Sequence, residues 1–157
     1  MKFEGEYLNG KRNGKGKEYY YTDRLKFEGE YLKGEKNGKV KEYYDNGKLE
    51  YEGEYLNGQR NGKGKEYYRD GKLRIEGEYL NDKIWSGKGY DNKDEQVFEI
   101  KNGKGKVREY YPDGKVKFEG EYLNGERNGK VKEYYDNGKL EFEEEYLIWI
   151  RNGKGKE

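Results

Sequence analysis

The sequence contains no cysteine, no histidine and no alanine, and it has one proline and one methionine. Without thiols or imidazoles there can be no disulfide, no thiol catalysis, no Cys/His zinc site and no Ser-His-Asp triad. Long apolar runs are missing too. The longest is Leu147 to Ile150, far short of a membrane span, and Met1 is followed at once by Lys2, Phe3 and Glu4 with no apolar signal segment. This pattern predicts a soluble, cytoplasmic protein. An excess of one charge is also lacking, since 34 Lys+Arg stand against 33 Asp+Glu. Nucleic-acid binding needs a cationic excess that displaces counterions, so no nucleic-acid partner is expected. What is present is 43% charged and 30% hydrophobic, with 19 tyrosines and 25 glycines among 157 residues. Low hydrophobicity favours disorder, but disorder also goes with few aromatics and a large net charge, so this chain should fold.

The chain repeats itself. Units starting at Phe3, Phe27, Tyr51 and Ile75 follow one another every 24 residues, and units at Phe118 and Phe142 resume the period after a stretch of 43. The consensus reads (F/Y)-E-G-E-Y-L-N-G-x-R-N-G-K-(G/V)-K-E-Y-Y-x-x-G-K-L-x. Residues 75–117 fit as two degenerate units, the second starting near residue 95, which makes a single array over 1–157 of about seven units.

Each unit alternates with period two, which predicts strands rather than helix. Leu25, Phe27, Gly29 and Tyr31 share one parity, and Lys26, Glu28, Glu30 and Leu32 share the other. Asn9-Gly10 through Asn13-Gly14 supplies residues that tolerate positive φ and should reverse the chain, while Asp45-Asn46-Gly47 does so between units. Each unit is therefore expected to be a β-hairpin followed by a short turn. Opposite charges favour pairing across strands, so Glu4 and Glu6 belong on the face of Lys15 and Lys17. The other face should collect Phe3, Gly5, Tyr7, Gly16 and Tyr20 and their equivalents. The result is an aromatic face in which rings lie over glycines that have no Cβ. Gly5 recurs as Gly29, Gly53, Gly77 and Gly120 and is broken at Glu144, while Val40, Val107 and Val131 stand where Gly16 does. A single hairpin is marginal, so the array is stable when several units bury this face together.

The run Tyr51-Glu52-Gly53-Glu54-Tyr55-Leu56-Asn57-Gly58-Gln59-Arg60-Asn61-Gly62-Lys63-Gly64 resembles the MORN repeat, Y-x-G-x-(W/Y)-x-x-G-x-x-x-G-x-G. The resemblance covers nearly the whole chain. It implies an all-β fold, an elongated, twisted antiparallel meander of tandem hairpins that is non-enzymatic and serves as a scaffold for proteins or touches phospholipid. The Asp-Asn-Gly-Lys-Leu punctuation is similar to the MORN-variant group known in bacteria as an antitoxin component. Leucine-rich repeats share the period, but the L-x-x-L-x-L ladder is missing. Choline-binding wall repeats need several Trp for their aromatic cages, and this chain has two, Trp85 and Trp149.

The candidate sites have bland explanations. Glu-Gly-Glu triplets resemble the carboxylate pairs of glycoside hydrolysis, but they recur opposite lysines, whereas catalytic pairs are local. Asp-Asn-Gly-Lys turns offer one carboxylate each, too few for a Ca²⁺ cage. Lys-x-Lys ladders could meet anionic lipid, but interleaved glutamates cancel their field. Gly14-Lys15-Gly16-Lys17 lacks the strand-loop-helix context of a phosphate loop. No catalytic residue, metal or cofactor is therefore assigned. Protein partners rank first, with an antitoxin or immunity-type binder of a toxin as the alternative and phospholipid behind both. The tyrosines Tyr7, Tyr31, Tyr55, Tyr79, Tyr122 and Tyr146 are expected to line a partly exposed aromatic groove, with packing inside the array as the alternative role for any one of them. Specificity is expected at the irregular residues: Ile84 and Trp85 in one turn, and Leu147, Ile148, Trp149 and Ile150 in another. The last four turn a polar turn into an apolar strand. This predicts either an association surface, covered by a second copy as a dimer or other homo-oligomer through the C-terminal edge or by a different partner, or else a cap made by Trp149 folding back on the preceding unit.

Overall fold

A computed structural model describes residues 2–111 and 113–146, with the backbone alone for Tyr146. Thirteen strands follow one another: β1 (Lys2–Leu8), β2 (Lys11–Tyr19), β3 (Leu25–Leu32), β4 (Glu35–Tyr43), β5 (Leu49–Leu56), β6 (Gln59–Tyr67), β7 (Leu73–Leu80), β8 (Lys83–Tyr90), β9 (Gln96–Ile100), β10 (Gly105–Tyr110), β11 (Val116–Leu123), β12 (Glu126–Tyr134) and β13 (Leu140–Tyr146). Among the described residues there is no helix. Each strand pairs antiparallel with its sequence neighbour, giving a nine-stranded sheet, β1 to β9, and a four-stranded sheet, β10 to β13. The fold is an open all-β antiparallel meander of hairpins. A lone bridge between Lys101 and Lys104 joins the two sheets.

Within a hairpin, two residues reverse the chain with positive φ at both, as in Asn9 (51°) and Gly10 (74°). That is the type I′ geometry whose twist matches the strands it joins. The expected reversal over residues 9–14 is therefore confined to Asn9-Gly10. Asn13-Gly14 lies inside β2 instead, in a bulge: Gly5 pairs with Gly16 and Tyr7 with Arg12, so three residues oppose Glu6. A surplus of two residues keeps both flanks of the bulge on the same face. The corresponding glycine of β6 cannot be replaced freely, because Gly62 has φ 98°, a backbone conformation that other residues rarely adopt.

The β7–β8 hairpin corrects the placement of Ile84 and Trp85. Its turn is Asn81-Asp82, and Ile84 and Trp85 belong to β8. Tyr79 pairs with Ile84 and Glu78 with Ser86, so the bulge here has a surplus of one residue, Trp85. Ile84 pairs with Tyr79 as Arg60 pairs with Tyr55, so it stands on the inner face, where it packs against both buried clusters. The first cluster is built on Phe27, Tyr31, Tyr51 and Tyr79, the second on Ile75, Phe98, Ile100, Phe118 and Val131.

Candidate functional site

The two sheet faces carry different chemistry. On the aromatic face the rings pack edge-on, with Phe27 and Tyr31 centroids 5.4 Å apart and Tyr51 and Tyr79 5.6 Å apart. Phe27 and Tyr51 are wholly buried. Among the described residues no helix covers this core, and charge covers it instead. Arg12 lies over Phe3 at 4.1 Å, Lys36 over Phe27 at 3.9 Å, Arg60 over Tyr51 at 4.1 Å and Arg127 over Phe118 at 4.3 Å. Each such contact contributes about 0.5–2 kcal/mol, more as it is desolvated.

Carboxylates of the same face complete the cover. Glu42 accepts from Lys36 at 3.1 Å and from Arg60 at 2.9 Å; Glu66 accepts from Arg60 at 2.8 Å and from Arg74 at 3.2 Å; Arg74 then reaches Glu109 at 3.1 Å. The chain of charges thus runs from β4 to β10 and ties the two sheets together. Arg12 with Glu18, and Arg127 with Glu133, form separate pairs. Tyr55 and Tyr79 donate their hydroxyls to Glu42 and Glu66. Burial disfavours a charged Glu42, but Lys36 and Arg60 outweigh it and hold its carboxyl below the usual range. Burial and then the Glu42 charge push the Tyr55 hydroxyl up to about 12. In the β7–β8 unit both partners are replaced together: Ile84 stands at the cation position and Gly89 at the carboxylate position, where the Phe98 ring fills the space.

The sequence reading left Glu18 and its equivalents out of the aromatic face. Their parity with Gly16 was the available signal. Tyr20, placed on that face, lies beyond the end of β2 and donates its hydroxyl to the Tyr43 carbonyl. The expected aromatic groove is also corrected. Tyr31, Tyr55 and Tyr79 are buried, because rings and cations cover one another, while Tyr122 is half-buried and Tyr7 is exposed. Trp85 is half-buried, with its ring against Gly103 and its carbonyl accepting from Gly103 N–H at 2.6 Å. The side chain of Tyr146 and the residues Leu147, Ile148, Trp149 and Ile150 lie outside the described residues.

The opposite face is open. Glu4 stands opposite Lys17, and the row continues strand by strand as Lys17, Glu28, Lys41, Glu52, Lys65 and Glu76. A parallel row places Lys39 opposite Glu54 and Lys63 opposite Glu78. Between the rows the strands contribute only bare backbone at Gly53, Gly64 and Gly77 and the back of Val40, whose Cβ atoms, where present, point to the other face. A groove of about 550 Å³ results, and a second of about 650 Å³ continues it across Gly5, Gly16 and Gly29. Its walls are stiffened by tyrosines: Tyr43 donates to Glu28, Tyr67 to Glu52 at 2.6 Å and Tyr90 to Glu76 at 2.7 Å.

One rim of this face carries a row of leucines that sequence reasoning did not single out. Leu8, Leu32, Leu56 and Leu80 end successive first strands with the parity of the glutamates and remain 59, 48, 51 and 43% exposed. Their recurrence every 24 residues at solvent-facing parity was the signal available. Among the described residues no three His, Cys, Asp or Glu side chains converge as metal ligands would.

A repeating hairpin array that encloses its own core and leaves one grooved face open belongs to the class of repeat-built interaction modules. Residues 3–23 and 51–72 match the MORN repeat, and residues 36–57, 103–124 and 127–147 match the MORN repeat variant. The chain belongs to the MORN repeat family, whose repeats are in general non-catalytic modules that bind proteins or membranes. No curated protein matches the chain significantly.

Proposed function

We propose that the protein is a non-catalytic scaffold that binds a protein partner across the charged sheet face, in the glycine-floored groove beside the leucine rim. The observation that carries this reading is the leucine row. Four large apolar side chains, each roughly half exposed, repeat in line on one rim, and recurrent exposed apolar side chains mark interaction surfaces. The matching partner is a polypeptide segment that brings apolar side chains to this rim and charges of both signs to the walls. A membrane surface is less well matched, since lysines and glutamates alternate strand by strand and present no cationic field to anionic lipid. A partner that is a toxin would make the same surface an antitoxin's; that difference lies in the partner and not in the fold.

Affinity capture from the source organism tests the reading, using the wild type and the triple variant Leu32→Asn, Leu56→Asn, Leu80→Asn. Each leucine has about half its side chain left to bury, worth about 1 kcal/mol, so the variant should lose about 3 kcal/mol or on the order of 100-fold in affinity. Equal capture by a variant with an unchanged thermal melt refutes the assignment of this face. Sedimentation of the wild type with anionic vesicles, abolished by salt, would instead support the membrane alternative.

A further inference from the structure

The hairpin turns form a second ladder outside the sheet. In the turns after β3, β5, β7 and β11, and in the turn between β9 and β10, the N–H of the second turn residue donates to a carbonyl of the preceding hairpin. Gly34 donates to Arg12, Gly58 to Lys36 at 2.9 Å, Asp82 to Arg60, Gly103 to Trp85 and Gly125 to Gly103 at 2.9 Å. Gly10 occupies the same position after β1, and among the described residues its N–H has no acceptor. Asn9-Gly10 and Asn57-Gly58 are otherwise alike. Asn φ is 51° in one and 50° in the other, Gly φ is 74° and 80°, all four residues are exposed, and neither glycine has a side-chain or distant backbone atom within 4 Å of where a Cβ would stand.

We infer that Asn9 is a site of selective deamidation. The reaction needs the following residue's amide nitrogen as nucleophile. After loss of its proton to base, the Gly10 nitrogen attacks the Asn9 Cγ, a new C–N bond forms and ammonia leaves, closing a five-membered succinimide. Water then opens either carbonyl of the ring and leaves an aspartyl or isoaspartyl carboxylate at residue 9. Overall, one side-chain amide and one water become one carboxylate and one ammonium ion. A glycine with no side chain leaves the attack unhindered in every Asn-Gly pair, so the hydrogen bond decides among the hairpin turns. Where the N–H is donated to a carbonyl, that bond must be broken before the nitrogen can react. Asn46-Gly47 and Asn137-Gly138, between units, are held in the same way, with Gly47 N–H on Tyr44 and Gly138 N–H on Tyr135. The isoaspartyl product routes the backbone through the side chain and adds a methylene to a two-residue turn. The type I′ register between Tyr7 and Arg12 is then lost, and the first strand loosens from the array.

The test is peptide mapping by mass spectrometry of the full chain aged at mildly alkaline pH, with the rates at Asn9, Asn57 and Asn124 compared. Deamidation at Asn9 should run about fivefold faster than at Asn57, the factor that one hydrogen bond of about 1 kcal/mol supplies. In strong denaturant the two rates should become equal, because the dipeptides are identical. The variant Lys33→Asn places the same dipeptide in the next hairpin turn over the bonded Gly34 amide, and that position should react at the Asn57 rate. Equal native rates at Asn9 and Asn57 would overturn the inference, and so would a difference that persists in denaturant. Rapid reaction in the Lys33→Asn turn would overturn it as well.

Discussion

Arg60 stands at the centre of the charge chain that covers the aromatic core, and replacing it by methionine tests whether that cover is structural. Its guanidinium bonds Glu42 at 2.9 Å and Glu66 at 2.8 Å and lies 4.1 Å above the wholly buried Tyr51 ring. Methionine keeps the apolar stem over the ring but removes the charge. Breaking a buried pair by deleting one partner costs about 3–5 kcal/mol when the other charge is left bare. Here each carboxylate keeps one cation, Lys36 for Glu42 and Arg74 for Glu66, so about 2–4 kcal/mol is expected. Arg60→Lys should cost less, about 1–2 kcal/mol, since Lys36 shows that a lysine can serve one carboxylate from this position. The reference is Lys65→Met. Lys65 reaches Glu76 at 3.7 Å on the open face and is half exposed, so its loss should cost under about 1 kcal/mol.

The sign of the pH dependence follows from Glu42. Its folded carboxyl lies below its ordinary range, so its stabilisation is full above the unfolded value and is lost as pH falls through the folded one. Removing Arg60 takes away one of the cations that hold the carboxyl down, so acid should destabilise Arg60→Met at a higher pH than the wild type. Urea midpoints across a pH series would measure both effects. If Arg60→Met and Lys65→Met lowered the midpoint equally, or if the acid limb did not move, the ion chain would be ornament on a core held by rings alone.

Gly53→Val should cost about 2–4 kcal/mol in urea unfolding, because a Cβ there meets Gly64 Cα and the Lys63 carbonyl at 2.7 Å, and these backbone atoms cannot rotate away. Gly58→Ala has open space around it and pays only the positive-φ strain of about 1–2 kcal/mol, so the reverse ranking would contradict the assigned face. Tyr55, Tyr67 and Tyr68 are raised to about 12, by burial first, so the unfolded chain ionises before the folded one and stability should fall as pH rises from about 10 to 12. Tyrosinate absorbance should then rise cooperatively with loss of the sheet; independent ionisation near 10 in an intact fold would count against that burial. Small-angle scattering should give an elongated particle with a longest dimension on the order of 60 Å, from thirteen strands at about 4.8 Å spacing, and a sphere would refute the open meander.

Much of this architecture is legible in the sequence because its signals are local. Period-two alternation in Leu25 to Leu32 specifies a strand and divides its two faces, and Asn-Gly pairs specify where the backbone can take a positive φ. Opposite charges place Glu4 over Lys17 by cross-strand attraction, and the 24-residue recurrence multiplies each hairpin into an array. Tertiary structure decided which Asn-Gly is a turn and which is a bulge. Asn9-Gly10 and Asn13-Gly14 have the same chemistry, and the pairing of Tyr7 with Arg12 is what separates them. It also decided that Ile84 and Trp85 lie in a strand and not in a turn, since the chain reverses at Asn81-Asp82 and Trp85 becomes a single bulge residue that no local signal counts. Which face is open is a tertiary matter for the same reason. The aromatic row would be a groove if nothing lay over it, and it becomes a core because Arg12, Lys36, Arg60 and Arg127 arrive from paired strands and settle on the rings. Sequence specifies which side chains share a face, whereas the closing of that face depends on distances across strands and between hairpins, and those exist only once the array has folded.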